Sequence, residues 1–360
     1  LDGYQGTGGR GMIYLDYQAT TPVAPEVFAA MEPWLKDNFW NPHSAHAGGR
    51  KAAAAVEAAR DDIASLLPKG GRVIFTSGAT EAINLAIKGC ALPVAALATE
   101  HAAILDCVEH LGGSIVPVAT DGLRLNEPAA SCLFASMLVN NEIGTIQPLS
   151  DIAAAVHGTG GLLLCDAVQG FGRMAIPEGP DLIAISAHKI HGPKGIGALW
   201  VRNGVKLEPL MHGGGQEQGL RSGTLSPALC AGFGAAAALA AERMAQDLIH
   251  VEQLWSRAVE LFAGWTINGS TTLRYKGNLN IRRDGVDVGR LMSECREVLF
   301  SAGSACASGS GRPSHVLRAI GLSDAQAKSS IRLGWGRYTS AEEIERAAAM
   351  INAAAERQLA

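Results

Sequence analysis

Five short apolar runs in this 360-residue chain end in groups that a protein core seldom keeps. RVIFTS is followed by GATE, so Ser77-Gly78-Ala79-Thr80 stands where a helix would begin. VAALAT leads to Glu100-His101, SMLV to Asn140-Asn141-Glu142, and LLLC to Asp166 and then Gln169. DLIAIS leads to Ala187-His188-Lys189. Free N–H groups and the dipole at a helix start hold phosphate, and Thr80 adds a hydroxyl; the same residues would also serve as a plain cap. Asp166 is costly to bury without a cation. A protonated heterocycle nitrogen would answer that need, as would a helix N-terminus or a structural ion pair. Lys189, if desolvated beside a buried strand, has a lowered pKa and becomes an amine nucleophile; on an open loop it is an ordinary solvated lysine.

Taken together, an anion cradle, a carboxylate and a strand-end lysine are what pyridoxal 5′-phosphate (PLP) requires for its phosphate, ring nitrogen and aldehyde. A sixth stretch, SAGSACASGSG, places Cys306 among residues with almost no side chains. Little packing would hold that thiol, which suits a nucleophile that must travel; an incidental free cysteine in a small-residue turn is the plainer alternative. His43 and His46, like His188 and His191, sit three apart. Neither pair has the H-E-x-x-H form or an accompanying cysteine pair, so no metal site is expected.

The elements that must position these groups follow from the texture of the chain. Seven apolar runs between residues 73 and 202 alternate with helical patterns such as EAINLAIKG, AAILDCVEHLG and SDIAAAVHG. That alternation predicts an α/β fold with a mostly parallel seven-stranded sheet, buried on both faces, whose ligands lie beyond the carboxyl ends of the strands. From about Asn268, GNLNIRR, VLFSAG and SSIRLGW read as strands of a smaller α+β domain. The expected division is a large domain over 14–262 and a small domain of 1–13 and 263–360 carrying the Cys306 loop.

Composition bounds the function classes. Hydrophobic residues at 48% and charged residues at 18% exclude a disordered chain. A net charge of −4 argues against a nucleic-acid or anionic-membrane surface. The opening LDGYQGTGGRGMIYLDY has no signal-like apolar run, and Ala228–Ala241 reads as a buried helix, so a cytoplasmic protein away from membranes is expected. Seven cysteines, irregularly spaced and without C-x-x-C, do not suggest a disulfide framework or a zinc ribbon.

TSGATEAINLAIKG, TEHAAILD, VNNEIGTIQP, CDAVQGFGR, SAHKIHGPKGIGAL, GGGQEQGLRSGT and SAGSACASGSGRPSHVLRAIGL together resemble the NifS/IscS-type cysteine desulfurases, fold-type I PLP enzymes of aminotransferase class V. The resemblance runs from LDYQATTP at Leu15 to the last helix, and SAHK-x-x-GPKG and GSAC are its specific parts. It implies that Lys189 bonds to the cofactor aldehyde and that His101 stacks on its ring and moves protons. Asp166 and Gln169 would partner the ring nitrogen and the phenolic oxygen. Ala79, Thr80, Ser186 and His188 would bind the phosphate, with Asn141 beside the cofactor. Thr224 would contact the phosphate of the other subunit of a homodimer, Arg332 the substrate carboxylate, and Cys306 would take up sulfur.

The implied reaction converts L-cysteine to L-alanine and leaves a persulfide on Cys306 for an acceptor protein, such as an iron–sulfur scaffold or a carrier in thio-cofactor or tRNA assembly. A selenocysteine lyase, or a weakly active sulfur-assembly subunit working through partner binding, is the alternative. The small-residue run around GSAC resembles the IscS-like group. The C-terminal extension common in that group does not follow ERQLA, so the resemblance does not name the acceptor. His191 stands where relatives often carry tyrosine, and GGGQEQG differs from the usual GGGHERG or GGGQERG.

Overall fold

The computed structural model describes residues 11–126, 131–302 and 313–360. In chain order it contains β1 (Ile13–Tyr14), α1 (Pro25–Lys36), α2 (Ala47–Ala64), β2 (Gly71–Thr76), α3 (Ala79–Gly89), β3 (Val94–Leu97), α4 (Ala102–His110) and β4 (Ser114–Val116). There follow β5 (Leu133–Met137), α5 (Leu149–Gly158), β6 (Leu162–Asp166), β7 (Leu182–Ser186), β8 (Gly197–Arg202) and the long α6 (Pro227–Leu261). The remainder holds β9 (Thr266–Ile267), β10 (Asn278–Arg282), α7 (Val288–Glu294), β11 (Val298–Leu299), α8 (His315–Ala319), α9 (Asp324–Lys328), β12 (Ser330–Gly334) and α10 (Ala341–Leu359).

The seven apolar runs form one sheet in the order β2-β8-β7-β6-β5-β3-β4. Every residue of β5 and β7 is buried, as expected of strands covered on both faces. Only β8 runs against its neighbours, β2 and β7. The parallel members need crossover helices, which α3, α4 and α5 help to supply. All five polar strand ends therefore emerge at one edge. The reversed β8 turns residues 187–196 into a loop that leaves and re-enters the sheet at that edge, with Ser186 opposite Gly197. Lys189 is held on this loop.

Behind the sheet, α6 packs along α1 and α2. By length and composition it is the one helix among the described residues that could cross a membrane, but half of its apolar window is buried inside the protein. Small residues let these helices approach closely: a Cβ on Gly232 would lie 2.7 Å from Met31, and one on Gly234 would lie 2.6 Å from Ala59. The far end of α6 reaches α10. There β12, β10 and β9 form a three-stranded antiparallel sheet. β1 pairs in parallel with β11, which ties the start of the described chain to its C-terminal third.

Candidate active site

A cavity of about 890 Å³ opens at the carboxyl edge of the large sheet. Ten residues singled out in the sequence line it: Ala79, Thr80, His101, Asn141, Asp166, Gln169, Ser186, His188, Lys189 and Arg332. Thr224 is exposed and does not line its own chain's cavity. Cys306 lies outside the described residues. The cavity does reach Pro313 and His315, just after the segment that carries it.

The wall at β2 is the start of α3. Gly78 caps this helix without a side-chain hydrogen bond, and Ala79 begins its first turn. Gly197 of β8 packs against this turn so closely that a Cβ there would lie 2.7 Å from Gly78. Glu81, also in the first turn, is turned away from a ligand role. Its carboxylate accepts from Ser77 N–H at 2.7 Å and from Arg221 Nε at 2.8 Å. These bonds hold its carboxyl below the usual carboxylate range.

Asp166 ends β6, and its Oδ1 accepts from Val168 N–H at 2.9 Å. Burial pushes this carboxyl up despite that donor and the nearby His101 and Lys189. His101 caps α4, with Ala103 N–H donating to Nδ1 at 3.1 Å, so the neutral ring carries its proton on Nε2. Burial lowers the His101 pKa; Asp166 opposes the shift, while Lys189 and His315 add to it.

Lys189 Nζ donates to the carbonyl oxygens of Gln18 and Ala19. Burial, with Arg173 and Arg332 close by, lowers its pKa to about 8. His188 Nδ1 lies 3.1 Å from Thr20 Oγ1, and burial beside Lys189 and Lys194 lowers its pKa to about 4. Gln169 Nε2 donates to Gln18 O at 2.9 Å, and its Oε1 accepts from Arg173 Nη1 at 2.7 Å. One amide hydrogen of Gln169 therefore stays available to a ligand.

Arg332, on β12, is 1% exposed. It donates to Asn141 O at 3.0 Å, Asp16 Oδ1 at 2.7 Å and Ser301 Oγ at 3.2 Å. The segment from Asp16 to Thr20 thus meets Arg332, Lys189, Gln169 and His188 in turn, although the sequence reading gave it no role. Arg173, whose Nη2 donates to Lys189 O at 2.7 Å, was also missed. So was His315, whose Nε2 lies 2.8 Å from Glu100 O.

The sequence matches the aminotransferase class-V family over residues 13–347. The chain belongs to that family. The cysteine desulfurase IscS of Rickettsia bellii is 42% identical over 368 residues, covering 94% of this chain and 90% of its own. The X-ray structure of a NifS-like protein from Rickettsia africae superposes with a TM-score of 0.89 at 28% identity, covering 96% of this chain and 99% of its own. The structure of SspA in complex with cysteine superposes with a TM-score of 0.79 at 35% identity, covering 91% of this chain and all (100%) of its own.

Aminotransferase class-V enzymes of this kind depend on PLP, and the residues present fit it. The amides opening α3, with Thr80, Ser186 and His188, line the cavity where they would hold a phosphate. Asp166 is a buried carboxyl with no cation bonded to it among the described residues, a partner that a pyridinium nitrogen would supply. Lys189 is an amine with a lowered pKa at the cavity wall.

Proposed function

We propose that this class-V protein is a PLP-dependent cysteine desulfurase that acts as a cytoplasmic homodimer, converts L-cysteine to L-alanine and carries the released sulfur on Cys306 to an acceptor protein. One observation supports the assignment of residues: Lys189, Asp166 and Arg332 share a single cavity, and the described residues Ser301 and Ser314, before and after the stretch that holds Cys306, bond to Asp16 and Glu142 beside it. Ser301 Oγ donates to Asp16 Oδ1 at 2.9 Å on one side. On the other, Ser314 Oγ donates to Glu142 Oε2. The likeness to relatives named as cysteine desulfurases supports the reaction, as does the likeness to a structure holding cysteine. The exposure of Thr224, and of the apolar Phe28, Leu35 and Phe39, is consistent with a second subunit.

Bound PLP supplies an aldehyde for amines and an electron sink for the α-carbon of the amino acid. The chain's own residues do the rest. Arg332 holds the substrate carboxylate with its planar fork. Lys189 Nζ takes the α-proton, a role open to it because a pKa of about 8 leaves part of the amine neutral near pH 7. Asp166 keeps the ring nitrogen protonated. The Cys306 thiolate attacks the substrate Sγ: an S–S bond forms, the Cβ–S bond breaks and Cβ gains a proton; the α-proton held on Lys189 Nζ then returns to Cα to give alanine. His101 Nε2–H stands in the same wall to give Cβ its proton.

The test is alanine release from L-cysteine by the purified, PLP-loaded protein, with mass spectrometry of its cysteines. Wild type should form alanine and a persulfide on Cys306. Cys306→Ser should keep its cofactor yet release almost no alanine. Alanine at near-normal rates from Cys306→Ser, or a persulfide on Cys295 instead, would overturn the assignment. Turnover of selenocysteine alone would favour a selenocysteine lyase.

A further inference from the structure

Arg332 does not wait in the cavity as a bare cation. Its Nη2 is paired with Asp16 Oδ1 at 2.7 Å, and Asp16 is the only carboxylate paired with it among the described residues. Ser301 Oγ bridges the two, donating to Asp16 Oδ1 at 2.9 Å and accepting from Arg332 Nη2 at 3.2 Å. Asn141 O takes Nη1 at 3.0 Å. Arg332 Nε is buried and has no hydrogen-bond partner among the described residues. The guanidinium is thus anchored through its Nη atoms, with at least one donor left over.

Asp16 is itself held firmly. Leu15 N donates to Leu299 O at 2.8 Å, and Gly334 N donates to Leu15 O at 2.8 Å. Asp16 forms a bridge with Gly334, two residues beyond Arg332 on the same strand. Tyr14 Oη donates to Asp16 O at 3.1 Å. The carboxylate and the guanidinium therefore ride on paired backbone, so their separation is set by the fold rather than by flexible side chains.

We propose that Asp16 is a positioning residue that tunes the carboxylate affinity of Arg332: it aims the guanidinium and cancels its charge before an amino acid arrives. This rests on the reading of Arg332 as the carboxylate site. A buried cation with no counter-ion would bind any carboxylate tightly, product included. With Asp16 in place, the incoming carboxylate joins a neutral pair and feels the Asp16 charge as repulsion. Binding is weaker than the fork alone would give, and alanine can leave. Tight ground-state binding of substrate or product adds nothing to turnover once the site is filled.

The discriminating variant is Asp16→Asn. Its amide oxygen can still accept from Arg332 and Ser301, so the aim survives while the charge goes. The measurement is calorimetric titration of the PLP-loaded protein with L-alanine and, as a carboxylate-free control, with ethylamine; acetate is titrated into cofactor-free protein. Asp16→Asn should bind L-alanine and acetate tighter by about 5-fold or more, the scale of one partly screened charge at contact range, with ethylamine unchanged. Carboxylate binding that is unchanged or weaker would overturn the proposal, because a merely structural Asp16 predicts one of those results. Arg332→Gln separates the two readings. If it binds L-alanine as wild type does, the carboxylate role of Arg332 falls. If it loses alanine while Asp16→Asn shifts nothing, only the role of Asp16 falls. Should Asp16→Asn not fold, Asp16→Ser, which also lacks the charge and keeps an oxygen acceptor, carries the same comparison.

Discussion

Lys189 Nζ donates to the carbonyl oxygen of Gln18, a residue 171 positions earlier in the chain. Carbonyl acceptors favour a charged amine, yet burial and the positive charges of Arg173 and Arg332 prevail and lower its pKa to about 8. Competitive acetylation of the cofactor-free protein across pH should therefore give Lys189 a midpoint near 8, well below the 10.5 of an ordinary lysine. Because the shift is downward, the reactive neutral amine gains ground on the acid side of the ordinary value. A midpoint above 10 would mean that the two carbonyls dominate. Lys189→Ala should bind PLP only non-covalently, leaving no borohydride-fixed cofactor on the chain.

Asp166 presents the opposite shift. Burial raises its carboxyl pKa, so the folded protein holds that proton more firmly than the unfolded chain does. Stability is then lost as pH rises from about 4 through the folded value, at up to about 1.4 kcal/mol per pH unit. Cofactor-free Asp166→Asn should accordingly melt above wild type at pH 8, with the gap narrowing towards pH 4. The same variant should lose activity by roughly 100-fold or more, since it removes the charge that keeps a ring nitrogen protonated. Thermal melts of both proteins over that pH range, with turnover assays alongside, check both halves. A variant less stable than wild type at pH 8 would refute the stability half.

The sheet was legible because its strands are apolar runs bounded by Gly, Pro and polar residues, and a buried parallel sheet needs nothing subtler. Among the ten cavity residues, His101, Asp166, His188 and Lys189 were legible for a related reason, since ionisable groups at the ends of such runs stand out; Ser186 and Arg332 came only from the family resemblance. The segment from Asp16 to Thr20 was not legible. It has no periodic pattern, and its importance comes from partners 316 residues away at Arg332 and 171 away at Lys189. Gln169 was identified, but not that its amide is shared between Gln18 and Arg173. β9 is two residues long at a sheet edge and leaves no trace in composition. α9 did leave one: Ser323 and Gln326 form a capping box, an S-x-x-Q signal that precedes only five helical residues and was passed over.

A third prediction concerns the loop that leads to Thr224. The Glu217 side chain is 3% exposed, and its carboxylate accepts from Arg60 Nη1 at 2.8 Å and from Phe75 N at 2.7 Å. Glu217 and Gln218 both adopt left-handed backbone, at φ 48° and 58°, which is unfavourable for residues other than glycine. The Glu217 bonds to Arg60 and Phe75, with Arg72 Nη1 donating to Gln218 Oε1 at 2.6 Å, tie these residues to the sheet. Glu217→Ala would leave Arg60 with the exposed Glu57 as its remaining carboxylate partner and the Phe75 amide unpaired. A loss of about 1–3 kcal/mol is expected by urea unfolding. Limited proteolysis should also begin to cut between residues 215 and 223. Equal stability of variant and wild type would mean that Arg72, with Arg221 and Glu81, suffices to fix the loop.

The last prediction turns on His191, on the loop between β7 and β8. Its ring is buried, with Nδ1 3.0 Å from Pro22 O and an edge contact to Tyr338 at 4.9 Å between ring centroids. Burial, helped by Arg337 and Arg173, lowers its pKa to about 3. Between the ordinary histidine value of about 6.5 and that folded value, the unfolded chain binds a proton that the folded protein refuses. Stability must therefore fall as pH drops through this window, by up to about 1.4 kcal/mol per unit from this residue. His191→Asn removes the titration, and asparagine tolerates the left-handed backbone at φ 67°. At pH 8 the variant should be less stable than wild type by about 1–3 kcal/mol, having lost the ring's packing. As pH falls from 6.5 the gap should close, and near pH 5 it should vanish or reverse. Urea midpoints of both proteins at pH 8, 6.5 and 5 decide the matter, because a gap that stayed constant would mean His191 is protonated in the fold as readily as in the open chain.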